Sequence, residues 1–246
     1  MNKLLTTLSA LLVASVTSVA FAQAAPAAAP EPSASARAAA AVPAPAGGTG
    51  GAKSIEAKAA MCLGCHNIPG YQASFPEVYK VPMIAGQSAG YIAAALNAYK
   101  TGDRKHPTMR GIADALTDQD IKDLSAWYAK QGQGNASPLA DKPSREPNAQ
   151  VAALLQKAAC VSCHGANFSK PIDPSYPKVG GQHADYLFVA LKAYKTENNA
   201  AIGRNNGIMG GIAKQFSNAE LKAMSNYLSS IDGDLKTVPE SRFIRR

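Results

Sequence analysis

Apolar residues return every three or four positions along Ile121, Leu124 and Trp127, and again along Leu221, Met224 and Tyr227. That is the period of a helix with one buried face. Each run follows a start signal, Thr117-x-x-Asp120 in one case and Ser217-x-x-Glu220 in the other, where hydroxyl and carboxylate satisfy each other's free backbone N–H groups. Upstream, residues 55–61 and 151–159 are rich in alanine and read as two more helices. Nowhere do apolar and polar residues alternate over a useful strand length, so the pattern predicts an all-α fold.

One other apolar run has a different character. Asn2 and Lys3 precede an apolar stretch over residues 4–21 that ends in Ala20-Phe21-Ala22, the layout of an export signal with an A-x-A cleavage site. Residues 1–22 are therefore expected to be a cleavable signal peptide that sends the chain to the periplasm. The run approaches spanning length, which leaves a retained membrane anchor as the alternative; its Thr and Ser content and its ending favour cleavage. Residues 23–52 are mostly Ala and Pro with Gly and Ser, cannot bury a core, and read as a disordered segment. A spacer between partners near a membrane and a merely solubilising tail both fit it.

The rest of the chain is an internal repeat. Pro82-Met83-Ile84-Ala85-Gly86-Gln87 corresponds to Pro177-Lys178-Val179-Gly180-Gly181-Gln182, and Tyr91, Leu96, Tyr99, Lys100 and Thr101 to Tyr186, Leu191, Tyr194, Lys195 and Thr196. Met109 then matches Met209, Ile112-Ala113 matches Ile212-Ala213, and the closing helices pair as above. The reading is one small domain used twice, at 53–133 and 148–235, with a linker at 134–147 and a basic tail at 236–246. Domains this small have little core of their own, which points to a large buried prosthetic group.

All four cysteines and two of the four histidines lie in two copies of C-x-x-C-H, Cys62-Leu63-Gly64-Cys65-His66 and Cys160-Val161-Ser162-Cys163-His164. Two thiols on one helical turn can each add to a vinyl group of the same porphyrin, and the next His then meets the iron. The motifs predict two covalently bound haem c groups, with Cys62, Cys65, Cys160 and Cys163 as thioethers and His66 and His164 as proximal ligands. A zinc site or redox dithiols would also use paired cysteines, but both leave the adjacent His unexplained twice. For the sixth ligand, Met109 and Met209 stand at equivalent positions in Pro/Gly-rich segments read as turns. Met83 is matched by Lys178, Met224 lies on a helix face, and Met61 is too close to the first motif. His106 and His183 have no histidine counterpart in the other repeat and read as surface or supporting residues. His/Met ligation saturates the iron and raises its potential, which favours electron transfer over oxygen binding.

On these residues the stretch from about Lys53 to Asp232 resembles the di-haem cytochrome c4 family, a tandem of class I cytochrome c domains. The resemblance implies that the carbonyls of Pro82 and Pro177 hold the proximal imidazoles of His66 and His164. It implies that Trp127 or Tyr227 on each closing helix crosses the opening helix. It also implies an electron carrier, not an enzyme, running from a quinol-oxidising complex to a haem-copper terminal oxidase. The repeats depart from each other in places: Asn67 follows the first motif where Gly165 follows the second, and the stretch from Gln to Met is longer in the second repeat. The alternative is a di-haem electron-transfer subunit of a periplasmic dehydrogenase oxidising sulfide or an alcohol. A peroxidase would need an open ligand position, and an assembly factor would leave both methionines unexplained.

Charge adds little. The formal net charge of +8 falls with loss of Lys3 and with ionised haem propionates, and an evenly solvated surface accounts for it. The sharper expectation is that Arg104 and Lys105 near the first methionine face an acidic site on a redox protein partner. Peripheral membrane association follows only if the signal segment is retained; no nucleic acid and no small-molecule substrate are expected.

Overall fold

The computed structural model describes residues 54–134 and 138–240, within one compact unit, Gly50–Arg246. The expected signal peptide and Ala/Pro segment, and the tail beyond Glu240, lie outside the described residues.

The first repeat runs α1 (Ile55–His66), β1 (Gln72–Ala73), β2 (Tyr79–Lys80), α2 (Ala89–Thr101), β3 (Arg104–Lys105), α3 (Pro107–Asp114) and α4 (Asp118–Lys130). The second runs α5 (Ala149–Lys157), α6 (Val161–His164), α7 (Ala184–Lys195), β4 (Gly203–Arg204), α8 (Gly207–Ala213) and α9 (Asn218–Ser230). Helices dominate, as the periodicity requires. The short strands form two antiparallel pairs: β1 with β2, and β3 with β4 across the repeats, where Arg104 faces Arg204 and Lys105 faces Gly203.

Both capping boxes form. Thr117 and Ser217 accept from the N–H of Asp120 and Glu220, whose carboxylates accept in return from the cap backbone. The closing helices then pack on their neighbours, α4 on α1 and α2, and α9 on α5 and α7. In the first repeat Ala59, Leu63 and Leu124 are buried with Trp127 against them; in the second, Val151, Leu154, Leu155, Phe168, Leu221 and Tyr227 share one cluster. Deep polar pins repeat too: Lys100 Nζ donates to Leu116 O and Lys195 Nζ to Phe216 O, each at 2.7 Å. The loop carrying each Gly-Gln pair is tied to its closing helix, Gly86 N–H to Tyr128 O and Gly181 N–H to Leu228 O.

Two expectations need correction. The second opening helix is not continuous: α5 ends at Lys157, and Ala159 takes a left-handed φ of 49° before α6 begins, whereas α1 runs straight through its motif to His66. The methionines also do not sit in turns. Met109 and Met209 are each the third residue of a short helix, α3 and α8. Pro107 suits the first position of α3 because its missing N–H is not needed there, and His106 and Asn206 cap the two helices by accepting from Met109 N–H and Met209 N–H.

The segment after each closing helix crosses to the other repeat. Ala140 O accepts from Asn167 Nδ2, Arg145 O from Tyr227 Oη and Ser144 Oγ from Asp232 N–H. In return Lys236 N–H donates to Ala85 O, Val238 O accepts from Asn67 Nδ2, and Val238 joins the apolar cluster of Ala85, Ile92 and Tyr128. The described later part of the linker, around Ala140, Ser144 and Arg145, and the beginning of the basic tail, at Lys236 and Val238, are thus packed against the repeats.

Candidate haem sites

Each proximal-ligand candidate is held in one orientation. His66 Nδ1 lies 2.8 Å from Pro82 O, and His164 Nδ1 lies 2.8 Å from Pro177 O. A carbonyl can only accept, so Nδ1 carries the proton and Nε2 keeps a free lone pair for a metal. Burial pushes both imidazole pKa values down, partly offset by those carbonyls, so both rings stay neutral as a ligand must. In the first repeat both cysteines precede His66 on α1; in the second, Cys160 caps α6, with Cys163 and His164 in it. Burial raises the Cys62 thiol above its ordinary range and pushes Cys160 up to about 11. A redox dithiol works through a low-pKa thiolate, which burial of Cys62 and Cys160 disfavours. Among the described residues no group of His, Cys, Asp and Glu is arranged to hold a metal ion by itself.

Met109 and Met209 stand apart from the histidines on α3 and α8, which pack on α2 and α7 respectively, and both are half-buried. Just ahead of them the structure places something the sequence did not suggest. Arg104, 9 % exposed, donates to Tyr91 Oη at 2.8 Å and lies over the Tyr91 and Tyr99 rings. Arg204 donates to Tyr186 Oη at 3.1 Å and lies over Tyr186 and Tyr194. Burial pushes Tyr91 up to about 12, while for Tyr186 the burial effect is outweighed by Arg204 and Arg104, which lower it. Among the described residues, the ion pairs formed leave both guanidiniums without a carboxylate. Two facing cations, Arg104 buried and Arg204 half-buried, are costly without an anion, and the carboxylates of a haem are of the right chemistry to supply it. The donor set therefore fits haem c twice over.

The chain is 30% identical over 193 residues to cytochrome c4 of Stutzerimonas stutzeri, covering 74% of this chain and 90% of that one. The chain belongs to the cytochrome c4 family. It is accordingly a di-haem electron carrier, not an enzyme, with two covalently bound haem c groups. The family model for cytochrome c matches residues 148–232. The solved structure of reduced recombinant cytochrome c4 from Pseudomonas stutzeri superposes with a TM-score of 0.51 at 26% identity, over 74% of this chain and 100% of that one. Another relative, the thiosulfate dehydrogenase electron acceptor of Stutzerimonas stutzeri (strain A1501), is 28% identical over 74% of this chain and 82% of its own.

For this cytochrome c4 family member the expectation that Arg104 faces a partner is overturned, while Lys105 stays exposed. β3 pairs with β4, so Arg104 is buried at the seam between the repeats and Lys105 Nζ donates to Asn199 O of the other repeat. His106 does have a structural counterpart, Asn206, in the capping role, and its Nε2 meets Tyr79 Oη at 3.0 Å. His183 caps α7 without a side-chain bond. Arg104 and Arg204 could have been found in the sequence, because each precedes its methionine by the same interval.

Proposed function

We propose that Cys62 and Cys65 anchor one haem and Cys160 and Cys163 the other, with His66/Met109 and His164/Met209 as axial pairs in a periplasmic electron carrier. One observation carries the reading: the same arrangement occurs twice, an imidazole held by a proline carbonyl with its Nε2 free, and a methionine at the third position of a side-chain-capped helix. The iron supplies a one-electron ferric/ferrous couple. Pro82 and Pro177 fix the rings and would strengthen them as donors to iron, and a thioether ligand from Met109 or Met209 would raise the potential. The Tyr-lined guanidiniums of Arg104 and Arg204 add positive charge at the seam, which favours the ferrous state.

For partners, the family resemblance supports electron flow from a quinol-oxidising complex to a haem-copper oxidase. A second reading, acceptance of electrons from a periplasmic dehydrogenase of sulfur compounds, is favoured by the similarity to the thiosulfate dehydrogenase electron acceptor.

The test is the visible and near-infrared spectrum of the mature holoprotein through a redox titration, with carbon monoxide added after reduction. Two haems that ignore carbon monoxide and show the charge-transfer band of ferric iron bound to sulfur, halved in Met109→Ala and in Met209→Ala, are expected. A band unchanged in either variant rejects that ligand. Reduction rates with a purified quinol-oxidising complex against a thiosulfate dehydrogenase then separate the two partner readings.

A further inference from the structure

The Gln of each P-x-[aliphatic]-x-G-Q stretch does not serve its own repeat alone. Gln182 Oε1 accepts from Met83 N–H at 3.0 Å and its Nε2 donates to Met83 O at 2.9 Å. Reciprocally, Gln87 Oε1 accepts from Lys178 N–H at 3.0 Å and its Nε2 donates to Lys178 O at 3.0 Å. Both side chains are buried, 4% and 3% exposed. Each Oε1 also accepts from the next backbone N–H, that of Ser88 or His183, so the amide can point only one way.

The targets of these bonds matter. Met83 N–H belongs to the same planar peptide group as Pro82 C=O, which accepts from His66; Lys178 N–H belongs to the peptide of Pro177 C=O, which accepts from His164. A hydrogen bond to the N–H of a peptide polarises it and makes its carbonyl a better acceptor, by about 10–30 % per bond in a chain. A better acceptor on Nδ1–H makes the imidazole a stronger donor to iron.

We propose that Gln87 and Gln182 are positioning residues that act across the seam, each setting, through one peptide group, the donor strength of the proximal imidazole in the opposite repeat. Gln182 acts on His66 and Gln87 on His164. The inference rests on the reading of these histidines as iron ligands. It makes the contact between the repeats part of the tuning of each haem: loosening the seam raises both potentials, because weaker imidazole donation stabilises the ferric state less.

The experiment uses the full holoprotein and titrates the two haems separately, following their assigned hyperfine-shifted NMR signals. Gln182→Ala is expected to shift the ferric/ferrous ratio of the His66 haem roughly threefold toward ferrous at fixed potential, about 30 mV for a one-electron couple, and to leave the His164 haem nearly unmoved. Gln87→Ala is expected to do the reverse. Gln182→Glu keeps an oxygen on Met83 N–H and should hold the His66 haem at or below the wild-type potential, which a mere loss of packing would not do. Equal shifts of both haems, a shift confined to the variant's own repeat, no shift, or a raised potential in Gln182→Glu would overturn the proposal. A hyperfine-shifted Nδ1–H signal from each ligand in the wild-type ferric protein tests the ligand reading by itself. Its absence overturns both readings, and its presence without the crosswise shift overturns this one alone.

Discussion

The last described stretch of chain is held by the first repeat, and Asn67 is one of the residues that hold it. Its Nδ2 donates to Val238 O, and its Oδ1 accepts from Tyr128 Oη at 3.2 Å. Asn67 is 6% exposed and Tyr128 2%. Replacing Asn67 with Ala removes two hydrogen bonds at about 1 kcal/mol each and strands a buried hydroxyl, a further ~1 kcal/mol at least, so the first repeat should lose about 3 kcal/mol. With a urea dependence of about 2 kcal/mol per molar, the midpoint should fall by ~1.5 M. The readout is built in: Trp127 is the single tryptophan and packs with Cys62, Ala85 and Tyr128 in the first repeat. With haem attached at Cys62 its emission is quenched while that repeat is folded and recovers on unfolding. Tyr128→Phe should cost about 1 kcal/mol alone, and the double variant should be more stable than the sum of the two by ~1 kcal/mol or more, because no hydroxyl is then stranded. A midpoint within about 0.3 M of wild type in Asn67→Ala, or strict additivity in the double variant, would refute this account.

Other consequences are as direct. Arg104→Gln and Arg204→Gln each remove a cation that opposes the ferric charge, so both should lower a haem potential, by an amount of order 1 kcal/mol, read by potentiometric titration. Gly165 has φ +81°, and an added Cβ would stand 2.1 Å from Lys170 O; Gly165→Ala should destabilise the second repeat by more than about 2 kcal/mol in a denaturant titration followed by haem absorbance. Asp120 is held below the ordinary carboxylate range by the Thr117 hydroxyl, Lys58 and the Thr117 backbone. A folded-state pKa below the unfolded one gives stability that is present above about pH 4 and lost as pH falls toward the folded value. Asp120→Asn should therefore lower the melting temperature at pH 7, and the gap from wild type should close on acidification below about pH 3.

What the sequence made legible is what is local. The two C-x-x-C-H motifs, the two capping boxes and the 3.6-residue periodicity of α4 and α9 each occupy a few consecutive residues, and the structure forms both capping boxes and both helices as read. The break at Ala159 was hidden because a non-glycine residue with positive φ carries no mark in the sequence. The helices under Met109 and Met209 were misread as turns because Pro and Gly outweighed better evidence, a capping residue before each and, in α3, a proline at the first helical position. The seam was not legible at all. Gln87 with Lys178 and Gln182 with Met83 join residues far apart in sequence, and single polar pairs of that kind leave no periodicity to detect.

Among the described residues that seam is mainly polar. The apolar clusters stay within one repeat, apart from Val238, which reaches the first from the end of the described chain. Besides one aromatic contact, Tyr79 with Tyr186, the described contacts between the repeats are mostly hydrogen bonds and charges: the two glutamine clasps, the β3–β4 pair, Lys80 N–H and Lys192 Nζ donating to Asp185 and Glu77, and the facing arginines. Apolar burial is non-directional and would tolerate sliding, whereas bidentate amide-to-backbone bonds have one geometry and fail together when it is lost. A joint built this way fixes the register of the two repeats through the paired bonds of each glutamine amide. The residues so fixed are Met83 and Lys178, each sharing a peptide with the carbonyl on which His66 or His164 rests. If the glutamines tune the haems as proposed, the polarity of the joint follows from that role, since an apolar seam could hold the repeats together without acting on either imidazole.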